Sequence, residues 1–333
     1  MKRPRWITCV AVTLSIGVAM LAGPAVAQSD ASSYPTRTIR MIVAYPPGGP
    51  LDIMARAISE QLAKLLGQPV IVENRPGAGG LIGTEIAARA EPDGYTLLYT
   101  STPLSIQETM FAKLPYSALR DFTPIAKVAE GPQLLVVGMS VPVNSVSELI
   151  AYAKEQDGKL NYASPSAGGS NHLAAELFKS MAGFKATHIP YKGGAPAEMD
   201  VMSGQVTFMF GALTSAMKQV KAGRLKALGV SSKTRMQSAP DVPTIAESGL
   251  PGFEVTSWYG IVGPASMPAP IVKKLNQVIN QVLNEPSMQQ RLIAMDLDAT
   301  PGSPEQFGQF IETNVGMWKK VVTDAGLAGT SGG

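Results

Sequence analysis

The sequence predicts an α/β protein made of two α/β lobes joined by two crossing strands. Short apolar, β-branched segments alternate with stretches of helical periodicity along most of the chain, which is the pattern of a mostly parallel sheet covered on both faces. Glycine-rich turns recur between a strand and the helix after it. The 333 residues also exceed what one core usually holds, since single cores stop growing near ~250–300 residues.

Residues 1–27 combine Lys2, Arg3 and Arg5, an apolar run from Trp6 to Leu21, and Ala25-Val26-Ala27, which is the pattern of a secretory signal peptide cleaved after Ala27. The product is expected in the periplasm. Cys9, the one cysteine, lies in the leader, so the mature chain has no thiol for a disulfide, a zinc site or a nucleophile. Removing the three basic leader residues takes the formal charge from +3 to zero, which argues against nucleic-acid binding.

Ile39 to Ala44 reads as a buried strand closed by Pro46-Pro47-Gly48-Gly49. Ile53, Met54, Ala57, Ile58, Leu62, Leu65 and Leu66 then give one apolar helix face, ended by Gly67. Pro69 to Glu73 is a second strand, Asn74 to Gly80 a second glycine turn, Leu81 to Ala90 a helix, and Tyr95 to Thr100 a third strand with Ser101-Thr102-Pro103 as its loop. An apolar segment over 122–137, broken by Glu130-Gly131-Pro132, ends as the strand Gln133 to Val137 and is the first crossing. Strands at 159–163, 186–190, 206–210 and 225–230 alternate with helices at 147–155, 170–182, 195–203 and 214–221 in the second lobe. Phe253 to Val262 is the return crossing. The lobes would divide as 28–130, 131–254 and 255–333. The tail is helical over 270–284, 287–295 and 304–324, with Ser303 and Gln306 spaced for a capping box, and is expected on the first lobe.

The turns at Pro46 to Gly49, Pro76 to Gly80, Ser101-Thr102, Ser164 to Ser170 and Tyr191 to Gly194 follow strands, and several run into helix starts. Small side chains there expose backbone N–H donors suited to a carboxylate or phosphate. Four bonds of ~1.5–3 kcal/mol each reach the ~8 kcal/mol of micromolar binding without a cation. A plain tight connection, with Asp52 as a helix cap, accounts for the first turn equally well.

Enzyme signatures are absent from the pattern. Gly77 to Gly83 misplaces the third glycine of a dinucleotide fingerprint, and His172 stands where a nucleophile elbow after Ser170 needs glycine. The two histidines, His172 and His188, lack a close group of further ligands, so neither a metal site nor a cofactor is expected. His172 also suits a helix-start side chain bonded to its neighbouring loop, and Lys192 suits a solvated lysine.

The blocks YPTRTIRMIVAYPPGGPLDIMAR, VIVENRPGAGG, DGYTLLYTS, LNYASPSAGGSNHLAAELF, IPYKGGAPAEMDVMSGQV and PGFEVTSWYGIVGP resemble the extracytoplasmic solute receptors of tripartite tricarboxylate transporters, the Bug family. The resemblance implies a type II periplasmic binding protein that closes on a small organic acid, serves membrane permease subunits, and acts as a monomer without catalysis. Carried over by motif, the ligand-contacting positions are Pro47, Gly48 and Gly49 with Asp52 in support, Ser101 and Thr102, Ser166, Ala167, Gly168, Gly169 and Ser170 with His172, and Tyr191, Lys192 and Gly193. An exported sensor for a histidine kinase would use the same cleft, and a hydrolase would need Ser170 and His172 to act together.

Overall fold

A computed structural model of the chain describes residues 33–236 and 238–330. The leader, its cleavage site and Cys9 lie outside the described residues.

The strand β1 (Ile39–Val43), buried except at Arg40, leads into α1 (Pro50–Leu66), which ends at Gly67 in the left-handed conformation. With β2 (Val70–Asn74), α2 (Leu81–Ala88) and β3 (Thr96–Ser101) it forms a parallel block in which β1 lies between β2 and β3. Right after Thr102 the chain starts α3 (Pro103–Met110), a helix that the sequence reading, which gives Ser101-Thr102-Pro103 as a loop, does not identify. Eight residues are too few to display a helical period, and Leu104, Ile106 and Met110 are buried against different neighbours.

The strand β4 (Phe122–Gly138) runs unbroken for 17 residues. Gly131 and Pro132 do not end it. At Gly131 a side chain would collide with the Asp296 carbonyl, 2.7 Å from the position of its Cβ, so glycine admits the loop that packs there. Pro132, which brings no N–H, falls where β4 changes partners. The second block follows: α4 (Val146–Glu155), β5 (Asn161–Ser164), α5 (Ser170–Ala182), β6 (Thr187–Pro190), α6 (Gly194–Ser203), β7 (Phe208–Ala212), α7 (Leu213–Lys221) and β8 (Leu225–Val230). The chain closes with β9 (Thr256–Pro264), α8 (Ala269–Leu283), α9 (Pro286–Ile293), β10 (Asp298–Ala299) and α10 (Pro304–Asp324).

The strand order is β2-β1-β3-β9-β4-β7-β5-β6, with β8 and β10 also on β4. Only β2-β1-β3 and β7-β5-β6 are parallel; β9 and β4 join them by antiparallel pairs. The expected mostly parallel sheet is thus two parallel blocks on an antiparallel spine. Helical crossovers force parallel pairing, whereas strands that carry the chain between blocks are free of that restriction.

The return crossing is shorter than the strand expected over 253–262. Pairing of β9 with β4 starts at Thr256 opposite Pro132. Just before it, Val255 is clipped to the second block, its N–H donating to the Ser231 carbonyl at 2.8 Å and its carbonyl accepting from Ser231 Oγ at 2.5 Å.

The C-terminal helix does not rest on the first block alone, as the sequence suggests. Phe307, Ile311 and Val315 pack with Leu98 and Trp258, while Trp318, Val321 and Val322 join Ile106, Phe178 and Phe210 in the second core. Asn314 accepts from both indoles, Trp258 Nε1 at 3.1 Å and Trp318 Nε1 at 2.9 Å. We expect Trp318→Ala to cost about 3–5 kcal/mol in urea unfolding, the range for a buried aromatic. A loss under ~1 kcal/mol would mean that α10 does not tie the second core.

Candidate ligand-binding cleft

The first wall of the cleft is the turn between β1 and α1. Gly48 has φ +84°, the left-handed region, and nothing lies within 4 Å of where its Cβ would stand. The turn is held from behind. Asp52, buried in the first turn of α1, accepts the Gly48 N–H at 2.9 Å and Arg56 Nε at 3.0 Å on one oxygen, and Asn74 Nδ2 at 2.9 Å on the other. Asn74 Nδ2 also reaches the Tyr45 carbonyl at 3.1 Å. Burial opposes the charge on Asp52, but the bonds from Arg56, Gly48 and Asn74 outweigh it and hold the carboxyl below its ordinary value. Among the described residues, none accepts from the N–H groups of Gly49, Leu51 and Asp52, so three donors are left at the start of α1.

The second wall repeats this device. Between β5 and α5, Gly168 has φ +71° and Gly169 is the N-cap with φ −74° and ψ 165°, close to the −78° and 166° of Gly49. The Gly168 N–H donates to His172 Nδ1 at 2.9 Å, four residues on, as Gly48 does to Asp52. Leu173 N–H reaches the Gly169 carbonyl at 3.0 Å, as Ile53 does Gly49. The N–H groups of Gly169, Ser170, Asn171 and His172 have no acceptor among the described residues.

His172 therefore stands behind the loop and not in the cavity. It is 4% exposed and stacks on His188 with ring centroids 3.7 Å apart, and Tyr162 stacks on both rings. Burial, helped by His188 and opposed by Glu176, pushes its imidazole down to about 4. That neutral ring is what accepting from Gly168 requires. His188 donates to or accepts from Ser164 Oγ at 2.7 Å, at the root of the same loop.

A cavity of about 670 Å³ lies where these walls meet. Pro47, Gly48, Gly49, Ser101, Thr102 and Ser170, all singled out in the sequence, line it together. Ser257, Trp258 and Tyr259 of β9 complete it, with Tyr45 and Leu51. Among the described residues no charged side chain lines it. Thr102 also ties β3 to β9, its N–H donating to the Trp258 carbonyl at 3.1 Å and its hydroxyl accepting from the Trp258 N–H at 3.0 Å.

The remaining sequence-selected residues, with Gly169 as the N-cap of α5 among them, lie off this wall. Asp52 and His172 are the anchors just described. Ser166 and Ala167 are exposed on the outer loop, and Gly168 packs against Met110, 2.5 Å from the position of its Cβ. Tyr191 and Gly193 brace the second loop, their N–H groups donating to the carbonyls of Ser164 and Pro165 at 2.9 Å each, while Lys192 is exposed. The turn at Pro76 to Gly80 positions Tyr45, whose hydroxyl donates to the Gly79 carbonyl at 3.3 Å. The residues of β9 escape sequence reasoning because their block reads as a plain strand, and only the fold brings them opposite residues 45–51.

Ser170 and His172 form no hydrogen bond to each other; Ser170 Oγ lies 3.4 Å from Ser257 Oγ, and His172 Nδ1 is taken by Gly168. Among the described residues no group of three or more His, Cys, Asp or Glu could hold a metal ion, and no helix is long and apolar enough to cross a membrane.

The family model described as "Tripartite tricarboxylate transporter family receptor" matches residues 54–327. Protein BugT of Bordetella pertussis is 35% identical over 313 residues, covering 93% of this chain and 96% of its own. Among solved structures, Rpa4515 of R. palustris with adipate is 33% identical, with a TM-score of 0.75 over 89% of this chain and 99% of that one. MatC from Rhodopseudomonas palustris with bound malate is 32% identical, with a TM-score of 0.70 over 87% of this chain and 100% of that one. With matches that span nearly its whole length, this chain belongs to the tripartite tricarboxylate transporter receptor family, the family of the Bug proteins.

Proposed function

We propose that this protein is a periplasmic, non-catalytic receptor that captures a small organic carboxylate in the cleft and delivers it to membrane permease subunits. One observation carries the reading: the starts of α1 and α5 leave amide donors without acceptors, and Gly49, Leu51 and Ser170 bring members of both sets to a cavity that, among the described residues, no charged side chain lines. Such a site solvates an anion by oriented N–H groups and helix dipoles. The adipate and malate held by the similar structures are both carboxylates, which supports the same class here. Because each block supplies part of the donor set, binding favours closure of the blocks about the strands that join them, and the closed form is what a permease would read.

Calorimetric titration of the mature chain against a panel of mono- and dicarboxylates should find at least one ligand of micromolar or tighter Kd. Amines and neutral sugars should give no heat, and a panel in which only those bind contradicts the proposal. Gly49→Val should weaken that ligand at least ~100-fold while leaving Tm within a few degrees, because its backbone is extended and its Cβ would meet nothing nearer than the Pro46 carbonyl at 3.8 Å. The sequence suggests the same for Gly168, but its positive φ and its contact with Met110 make Gly168→Val a folding variant instead.

Stability should also depend on acid. The His172 imidazole is depressed from 6.5 to about 4, so the unfolded chain binds more protons between these values and stability falls as pH drops through that window. The loss approaches ~3 kcal/mol near pH 4, at 1.36 kcal/mol per pKa unit. Urea unfolding of wild type and His172→Asn across that range checks it; parallel profiles would contradict this role for His172.

A further inference from the structure

A second, smaller cavity of about 230 Å³ adjoins the main one and shares Ser170, Ser257 and Tyr259 with it. It lies against the residues where β4 changes partners, and Gln133 is one of its walls. Gln133 is 2% exposed, yet neither its Nε2 nor its Oε1 has a hydrogen-bond partner among the described residues. Its backbone is fixed, the N–H donating to Ser231 Oγ at 2.8 Å and the carbonyl accepting from the Ser231 N–H at 2.9 Å. A buried amide with both ends open is costly unless something else pairs with it.

We propose that this chamber receives the far end of the ligand and that Gln133 reads it; the inference rests on the carboxylate reading of the main cavity. The chamber's polar groups narrow the chemistry. Among the described residues Asp296 is its one carboxylate and no lysine or arginine lines it, so a second anionic end is repelled. The Thr214 hydroxyl is spent on Asp296 Oδ2, and the Asn171 Nδ2 on the Phe210 carbonyl at 2.9 Å, leaving the Asn171 Oδ1 as an acceptor beside Gln133 Oε1 and the Asp296 carboxylate. The Gln133 Nε2 and the hydroxyls of Ser170, Ser257 and Tyr259 add donors, so the chamber offers both kinds of polar group. The fitting group is an uncharged one that donates and accepts, a hydroxyl or a carboxamide, several bonds from the carboxylate that the helix starts hold.

The test is calorimetric titration of the mature chain with butanoate and hexanoate, each as the plain acid and as its ω-hydroxy, ω-carboxamide and ω-carboxylate derivative. In wild type an ω-hydroxy or ω-carboxamide acid should bind about tenfold tighter than its plain acid or its diacid, the worth of one satisfied buried polar group. Gln133→Leu, whose folding is checked by Tm, should compress that preference to within about twofold, and Gln133→Glu should weaken the diacid at least tenfold further. A preference that survives Gln133→Leu, or a diacid that binds tightest to wild type, overturns the chamber's role while leaving the carboxylate site standing. Failure of every acid to bind wild type overturns the carboxylate reading and this inference with it.

Discussion

An anion taken out of water must be met by donors of equal strength, and this cleft meets it without a cation on its wall. The donors we propose are main-chain amides at the starts of two helices, and the side chains that fix those amides suit that demand. A backbone N–H is strong only when it is aimed, so each loop is pinned from behind by a side chain four residues into its helix, Asp52 in one block and His172 in the other. The chemistry of the pins differs while their geometry repeats. Asp52 is held charged by Arg56 and Asn74, whereas His172 is held neutral by burial and by the ring stacked on it.

The same demand explains the spine. Donors on two blocks act on one ligand only if the blocks share a mechanical reference, and β4 supplies it by passing through both without interruption. The partner change at Pro132 and the Ser231 clip confine the crossing to a few residues. Beyond the strands, α10 lies across both cores, with Asn314 bridging Trp258 and Trp318. This third connection is made by packing and not by chain continuity.

Much of this was legible in the sequence, for physical reasons particular to each element. Gly-Gly before an apolar helical period marks a strand-to-helix turn; the first such turn lines the cavity and the second touches it through Ser170, since loops at the carboxyl ends of strands face the same side. The anchoring role of His172 was visible as one of two options; choosing between them needed the Gly168 N–H at 2.9 Å. Three features were hidden. The helix α3 is too short to show a period. The continuity of β4 through Gly131-Pro132 depends on neighbours far away in the chain. The contributions of Ser257, Trp258 and Tyr259 arise from pairing of β9 with β3 and β4, and an alternating strand pattern carries no record of its partners.

The central claim is that amide hydrogens from two helix starts together solvate one acidic group. Amide-resolved NMR of the mature chain, titrated to saturation with the acid that binds tightest, tests it most directly. The Gly49 and Leu51 amides of one block and the Gly169 and Ser170 amides of the other should move downfield together, with one shared saturation curve. Shifts confined to one loop, or none at any of these amides while the acid is demonstrably bound, would contradict it.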